Sequence, residues 1–223
     1  MDKKYCIFDM DGTLVDSMGY WQRMERDYLA RRGAQPGPQL EALIERLKPM
    51  TLDDAARAFI AELGFSGTPQ QIVDEMNAVM EENYRLRVPL KDDVAAYLTA
   101  LRERGARLCT ASATGAALVR MTLTRLGIAR HFDFMISCVD VGASKDRPDV
   151  YLAAAERFGA APAETAVFED SLRALTTARN AGFYTVAVAD TASADDWPAL
   201  CALADETVLS WAEAAEALKN LPR

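Results

Sequence analysis

Two aspartates, Asp9 and Asp11, follow the apolar run "YCIF" in the stretch "YCIFDMDGTLVDS", residues 5–17. Burying an unpaired carboxylate is costly, so two of them at the end of a strand-like segment require compensating groups. Side chains two residues apart in an extended chain point the same way, so both carboxylates can converge on one site. Gly12 then permits a sharp turn. Taken alone, the pattern is equally typical of a turn in which the aspartate side chains only hydrogen-bond the backbone.

Three other short stretches carry polar groups of the same kind. They are "RLCTAS" with Thr110, "SKDRPDVY" with Lys145, and "VFEDS" with Glu169 and Asp170. Each has a structural explanation when taken alone, because a threonine or an aspartate commonly caps a helix and a lysine is usually solvated. Together with the first stretch, they would supply one site with carboxylates, a hydroxyl and a cation.

Short apolar runs and helical patterns alternate through most of the chain. This alternation predicts an α/β fold, a Rossmann-like doubly wound parallel sheet covered by helices on both faces. In such sheets, sites form beyond the carboxyl ends of the strands, where Asp9 and Asp11 stand. The predicted strands are Tyr5–Phe8, Ala106–Thr110, Phe134–Cys138, Thr165–Phe168, Tyr184–Val188 and Thr207–Leu209.

Residues 15–88 interrupt the alternation with several helical segments and no convincing strand. Thr51, followed by Asp54, and Thr68, followed by Pro69, are good N-caps for two of these helices. The sequence therefore predicts two domains. Residues 1–14 and 89–223 form the α/β core domain, and residues 15–88 form an inserted all-helical cap domain.

The four stretches, in this order and at this spacing, resemble the haloacid dehalogenase superfamily of hydrolases. The resemblance is to its phosphatase and β-phosphoglucomutase branch, in which a small helical cap follows the first strand. It implies a Mg²⁺-dependent phosphatase that hydrolyses a small phosphomonoester through an aspartyl-phosphate intermediate, with the cap closing over the pocket. Phosphoryl transfer needs a nucleophile, charge neutralisation and proton transfer at the leaving oxygen, and the four stretches offer groups for each.

The resemblance implies a role for each acidic residue. Asp9 is the nucleophile, and Asp11 protonates the leaving oxygen and later activates water. Mg²⁺ suits an all-oxygen site. Its ligands would be the Asp9 carboxylate, the Asp11 carbonyl and the Asp170 carboxylate. Glu169 is either a further ligand or a group that supports the others.

The resemblance also implies a binding site for the phosphoryl group. Thr110, taken as the end of the second strand, offers its hydroxyl, and the backbone amides of Ala111 and Ser112 stand at the strand-to-helix turn. Lys145 supplies a positive charge.

Two departures from the family pattern affect the prediction. Asp146 stands where a proline usually follows the lysine, and it would either weaken the positive charge of Lys145 or form a loop contact. Trp21 stands where β-phosphoglucomutases carry a histidine, which argues against the mutase. A sugar phosphomutase remains the main alternative function, and a catalytically idle binding protein is a third.

Composition limits the partners. A net charge of −8 argues against nucleic-acid binding, which requires a basic surface. The sequence has no apolar run long enough for a transmembrane helix. The four cysteines stand far apart, which is typical of reduced thiols in a cytoplasmic protein. We expect a small phosphorylated metabolite as substrate, and a monomer or weak dimer. Basic residues of the helical segment would either bind an anion or form a solvated face: Arg46, Lys48, Arg57, Arg85 and Arg87.

Overall fold

Six parallel strands form one sheet in the computed structural model, which describes residues 3–47 and 50–220. The strands are β1 (Tyr5–Phe8), β2 (Arg107–Ser112), β3 (Phe134–Ser137), β4 (Thr165–Glu169), β5 (Tyr184–Val188) and β6 (Glu206–Val208). Their order across the sheet is β3-β2-β1-β4-β5-β6. This is the order of a doubly wound α/β fold, and it confirms the predicted fold class.

Helices fill the connections between the strands. They are α1 (Met18–Arg31), α2 (Pro38–Leu47), α3 (Leu52–Leu63), α4 (Pro69–Leu86), α5 (Val94–Glu103), α6 (Ala116–Arg125), α7 (Cys138–Val141), α8 (Asp149–Phe158), α9 (Leu172–Asn180), α10 (Trp197–Leu203) and α11 (Trp211–Asn220). In the described part of the chain, none of them is long and apolar enough to cross a membrane.

Successive residues of β1 pack on opposite faces of the sheet, as the strand period of two requires. Ile7 lies in a buried cluster with Val167 and Tyr151 of α8. On the other face, Phe8 stacks on Phe168 with ring centroids 4.2 Å apart. Trp211 of α11 packs against both of these rings, so helices cover both faces of the strands that end at the predicted site.

The predicted end of the second strand at Thr110 is wrong by two residues. The strand continues because Ala111 pairs with Ile136 and Ser112 pairs with Ser137 of β3. Backbone pairing with a neighbouring strand thus extends β2 through Ala111 and Ser112, whose small side chains have little preference for a strand.

The chain groups into two compact units. One comprises the segment up to Met18 together with the segment from Val88 onward, and the other comprises Gly19–Arg87. The second unit contains α1 to α4, and Thr51 and Thr68 make complete capping boxes at α3 and α4, as the sequence predicts. Residues 1–2, Lys48, Pro49 and 221–223 lie outside the described residues.

Candidate active site

The predicted acidic residues lie where the order of the strands reverses. The chain winds outward from β1 through β2 and β3 on one side, and through β4, β5 and β6 on the other. Asp9 directly follows β1 and Asp170 directly follows the adjacent strand β4. The Asp9 N–H donates to the Phe168 carbonyl oxygen at 3.0 Å. Ligands of doubly wound sheets bind at such a switch point.

Three carboxylates form a buried acidic cluster there. One carboxylate oxygen from each of Asp9, Glu169 and Asp170 lies within 4.8 Å of the others. The three residues are 7%, 1% and 6% exposed. Water therefore screens their mutual repulsion weakly, and the cluster needs positive charge.

Lys145 supplies one positive charge to this cluster. Its Nζ lies 2.5 Å from Oδ1 of Asp9 and 2.5 Å from Oε1 of Glu169. The Tyr151 hydroxyl donates to the same Glu169 oxygen at 2.7 Å. Tyr151 is not among the residues predicted from the sequence. Its only sequence signal is a hydroxyl on the buried face of the helix that follows Lys145.

The pKa shifts follow from burial and from the excess of negative charge. Burial and the Glu169 charge raise the pKa of Asp9 well above its usual range, although Lys145 opposes this. Burial and Glu169 also raise the pKa of Asp170 to about 7. Burial alone would lower the pKa of Lys145, but Asp9 and Glu169 raise it above its usual value. One lysine thus leaves the three carboxylates short of positive charge, and a bound divalent cation would remove this deficit.

The Asp11 carboxylate has different partners. Its Oδ1 accepts a hydrogen bond from Ser17 Oγ at 2.6 Å, and its Oδ2 accepts one from Thr114 Oγ1 at 2.9 Å. Neither hydroxyl is predicted from the sequence. Ser17 stands only six positions from Asp11, but Thr114 is 103 positions away, so only the fold reveals that contact.

The predicted phosphate-binding residues Thr110, Ala111 and Ser112 lie at successive positions along β2. Thr110 pairs with Phe8, the residue before Asp9, and its buried hydroxyl has no hydrogen-bond partner among the described residues. Ser112 ends β2, and its Oγ accepts a hydrogen bond from the Thr114 N–H at 3.0 Å. Ala111 lies between them. Ser112, the last residue of β2, therefore lies one step beyond the level of Asp9, and Thr110 lies one step before it.

Gly12 makes the sharp turn that the sequence predicts. Its φ is +74°, a conformation that residues with a Cβ rarely adopt. A Cβ placed there would lie 2.3 Å from Oδ2 of Asp170. Thr13 fixes the other oxygen of Asp170, because its Oγ1 donates to Oδ1 at 3.2 Å. The first sequence stretch thus also holds the carboxylate at the end of β4.

We expect Gly12→Ala to destabilise the protein more than Gly127→Ala. Gly127 has a similar φ of +77°, but a Cβ added at that position would meet no other atom within 4 Å. Left-handed backbone costs about 1–2 kcal/mol in both variants, and displacing Asp170 adds roughly 1–3 kcal/mol in Gly12→Ala alone. Urea denaturation of both variants measures the difference. Equal losses would mean that the Gly12 turn does not confine Asp170.

Asp146 forms loop contacts. Its carboxylate accepts a hydrogen bond from Ser144 Oγ at 3.0 Å and pairs with Arg173 Nε at 2.8 Å. Both Asp146 and Arg173 are largely exposed, so this pair is screened by water. These contacts favour a loop contact as the role of Asp146, over a weakening of the positive charge of Lys145.

The predicted basic residues of the helical unit, Gly19–Arg87, pair with carboxylates of the same unit. This favours a solvated face over an anion site, because each described arginine of the set already has an acidic partner that is exposed or partly exposed to water. Lys48 lies outside the described residues. The pairs are Arg46 with Glu62, Arg57 with Asp53, Arg85 with Glu81, and Arg87 with Glu82.

Comparison with known proteins relates this site to a family. The sequence model of the family described as haloacid dehalogenase-like hydrolase matches residues 6–188. Hexitol phosphatase B of Escherichia coli (strain K12) is 27% identical over 82% of this chain and 82% of its own length. Beta-phosphoglucomutase of Mycobacterium tuberculosis (strain CDC 1551 / Oshkosh) is 28% identical over 81% of this chain and 79% of its own length.

A solved structure agrees on the fold. CbbY from Rhodobacter sphaeroides, crystallised in complex with phosphate, superposes with a TM-score of 0.72 at 22% identity, covering 95% of this chain and 96% of that chain. The family match runs from the second residue of β1 to the end of β5 and includes every residue of the acidic cluster. The chain belongs to the haloacid dehalogenase-like hydrolase family.

Proposed function

We propose that this protein is a Mg²⁺-dependent phosphatase that hydrolyses a small phosphomonoester through an aspartyl-phosphate on Asp9. The observation that carries the proposal is the buried arrangement of Asp9, Lys145, Glu169 and Asp170 at the switch point of the sheet. A buried carboxylate beside a lysine and two further acids has the parts that phosphoryl transfer requires: a nucleophile, a cation and metal-binding oxygens.

The reaction takes place in two steps. A carboxylate oxygen of Asp9 forms a bond to phosphorus while the ester P–O bond breaks, and Asp11 gives its proton to the leaving oxygen. Asp11, now ionised, takes a proton from a water molecule as that water attacks phosphorus. The Asp9–phosphorus bond breaks, inorganic phosphate leaves, and Asp11 has its proton again. Lys145 holds Asp9 in position and offsets negative charge in both steps.

The buried acidic cluster fits a divalent cation. Asp9 and Asp170, with the Asp11 carbonyl, would hold Mg²⁺, which prefers oxygen ligands. Bound Mg²⁺ supplies charge neutralisation for the acids and the phosphoryl group. Lys145 and Tyr151 both contact Oε1 of Glu169, which favours a supporting role for this residue over direct ligation.

The phosphoryl oxygens would contact Lys145, the Ser112 hydroxyl and the amides that follow Ala111. Amides at a strand-to-helix turn favour anions. Thr110 is also predicted from the sequence for this role. Thr110 lies level with Phe8, one step before Asp9, so we assign the hydroxyl contact to Ser112, the last residue of β2.

We further propose that the substrate is a phosphorylated sugar or sugar alcohol. The likeness to hexitol phosphatase B supports this choice.

The proposal keeps the predicted domain division, with a core domain of residues 1–14 and 89–223 and a cap domain of residues 15–88. The four free cysteines support a reducing, cytoplasmic location. No nucleic-acid or membrane partner is proposed, and a monomer or weak dimer is expected.

The likeness to a beta-phosphoglucomutase makes a sugar phosphomutase the second candidate. A mutase would make the same aspartyl-phosphate but pass the phosphoryl group back to a sugar hydroxyl. Trp21 lies within the helical unit, where its Nε1 donates to the Tyr84 hydroxyl at 2.9 Å. An indole N–H only donates a hydrogen bond and lacks the acid–base chemistry of an imidazole, so Trp21 is no chemical substitute for a histidine, which favours hydrolysis.

The test is a phosphatase assay with purified protein. We expect Mg²⁺-dependent release of phosphate from p-nitrophenyl phosphate, loss of this activity in EDTA, and faster hydrolysis of one or more phosphates in a panel that includes hexitol and hexose phosphates. Conversion of β-glucose 1-phosphate to glucose 6-phosphate faster than phosphate release would favour the mutase. Absence of both reactions with Mg²⁺ present would overturn the proposal.

A further inference from the structure

The Thr114 hydroxyl contacts the Asp11 carboxylate, although Thr114 has no part in the proposed reaction and is not predicted from the sequence. Its hydroxyl donates to Oδ2 of Asp11 at 2.9 Å, while Ser17 donates to Oδ1. The two oxygens of this carboxylate are therefore held from two separate parts of the chain, the segment that follows β1 and the loop that follows β2.

The loop that carries Thr114 is itself fixed. The Thr114 N–H donates to the hydroxyl of Ser112, the last residue of β2, at 3.0 Å. Helix α6 begins at Ala116, and its N-cap is Gly115, so the capping position carries no side chain. A threonine just before a helix commonly caps it. Here the hydroxyl of Thr114 instead reaches a carboxylate 103 positions away in the chain.

We infer that Thr114 is a positioning residue that orients the Asp11 carboxyl for proton transfer to the leaving group. This inference rests on the proposed function, in which Asp11 is the acid and base. An aspartate side chain rotates about two bonds, and its proton reaches the leaving oxygen only within hydrogen-bond distance and direction. A donor on each carboxylate oxygen restricts that rotation, and a displacement of about 1 Å in such a group costs roughly a hundredfold in rate.

Orientation of Asp11 should matter unequally for different substrates. An alkyl phosphate expels a strongly basic alkoxide, so its P–O cleavage depends on a proton from Asp11. The p-nitrophenolate of p-nitrophenyl phosphate is a weak base and leaves without a proton. The ratio kcat/KM includes every step up to release of the leaving group, so comparing the two substrates isolates proton donation from binding and from nucleophilic attack.

The experiment measures kcat/KM for p-nitrophenyl phosphate and for the alkyl phosphate that the panel shows to be hydrolysed fastest. The variants are Thr114→Val, Thr114→Ala and Thr114→Ser, all with Mg²⁺ present. The matched control is Thr176→Val in α9, where the hydroxyl donates to the Leu172 carbonyl at 2.7 Å. Thermal unfolding of each variant confirms that it folds.

We expect the variants without a hydroxyl, Thr114→Val and Thr114→Ala, to lose about 10- to 100-fold in kcat/KM for the alkyl phosphate and less than about threefold for p-nitrophenyl phosphate. Thr114→Ser keeps the hydroxyl and should stay within about twofold of wild type for both substrates, as should Thr176→Val. Equal losses on the two substrates, or no loss on either, would overturn the role of Thr114 while leaving the phosphatase intact. A wild-type protein without phosphatase activity would overturn both.

Discussion

Asp9→Asn is expected to reduce turnover of p-nitrophenyl phosphate by roughly a thousandfold or more, because an amide cannot replace a carboxylate as a nucleophile. The substitution changes almost nothing in size. The Lys145 Nζ can still lie beside the remaining side-chain oxygen, so the fold around the acidic cluster should persist. Steady-state kinetics measure the loss, and mass spectrometry of acid-quenched protein tests for a phosphoryl adduct in wild type and its absence in the variant.

The matched control for this variant is Asp146→Asn. Asp146 is one residue from Lys145 in the chain, but its contacts are with Ser144 and Arg173 in exposed loop positions. We expect its activity to remain within about twofold of wild type, as is usual for surface substitutions. Near-normal turnover in Asp9→Asn would contradict the nucleophile assignment. A large loss in Asp146→Asn would show instead that the loop contact supports Lys145.

The sequence predicts the strands well because parallel strands buried on both faces are nearly continuous apolar runs. The predicted bounds of Tyr5–Phe8 and Tyr184–Val188 match β1 and β5 residue for residue. The other strands differ from the prediction by one or two residues at one or both ends. The largest shift is at Thr110 to Ser112, where pairing with β3 extends the strand through residues of weak strand preference.

The acidic part of the site is predictable for a related reason. Asp9, Glu169 and Asp170 interrupt apolar runs at strand ends, and the carboxyl ends of parallel strands share one edge of a sheet. The periodicity of a strand gives the direction of a side chain, but it gives no information on the neighbouring strand. These acids meet because β1 lies beside β4, and this pairing of strands is a property of the whole fold.

The hydroxyl partners of the site were not predictable from the sequence. Tyr151 contacts Glu169 across 18 positions, and Thr114 contacts Asp11 across 103. Serine, threonine and tyrosine are common, and each has many local uses, so a hydroxyl in a sequence does not indicate its acceptor. The role of Thr110 in phosphate binding stays a prediction, because the strand register that places it level with Phe8 also cannot be read from its residue type.

Lys145→Met is expected to lower both activity and stability, since it removes the only positive charge known to contact the acidic cluster in the described chain. Loss of an electrostatic stabiliser of this kind typically costs about 10²- to 10³-fold in kcat. Removing one partner of a buried ion pair typically costs about 3–5 kcal/mol. Kinetics with Mg²⁺ and urea denaturation in EDTA measure the two effects. Lys91→Met is the matched control, because Lys91 forms a partly buried pair at 2.7 Å with Asp190, which is not one of the three carboxylates, and has only a minor electrostatic effect on Asp170.

The stability loss in Lys145→Met should depend on pH. The folded-state pKa of Asp9 is already raised, and removal of Lys145 raises it further, so the folded variant retains a proton that the unfolded chain releases. Such a group makes a protein less stable as pH rises from the unfolded pKa, about 3.9 for aspartate, toward the folded pKa. Below the raised folded-state pKa of Asp9 in the wild type, both proteins keep this proton and lose stability alike. The gap between variant and wild type should therefore widen only as pH rises above that pKa, while Lys145 in the wild type stays charged because its own pKa is raised. Lys91→Met should lose stability but retain far more activity than Lys145→Met. A gap that stays constant with pH would mean that Lys145 does not compensate the charge of Asp9 and Glu169.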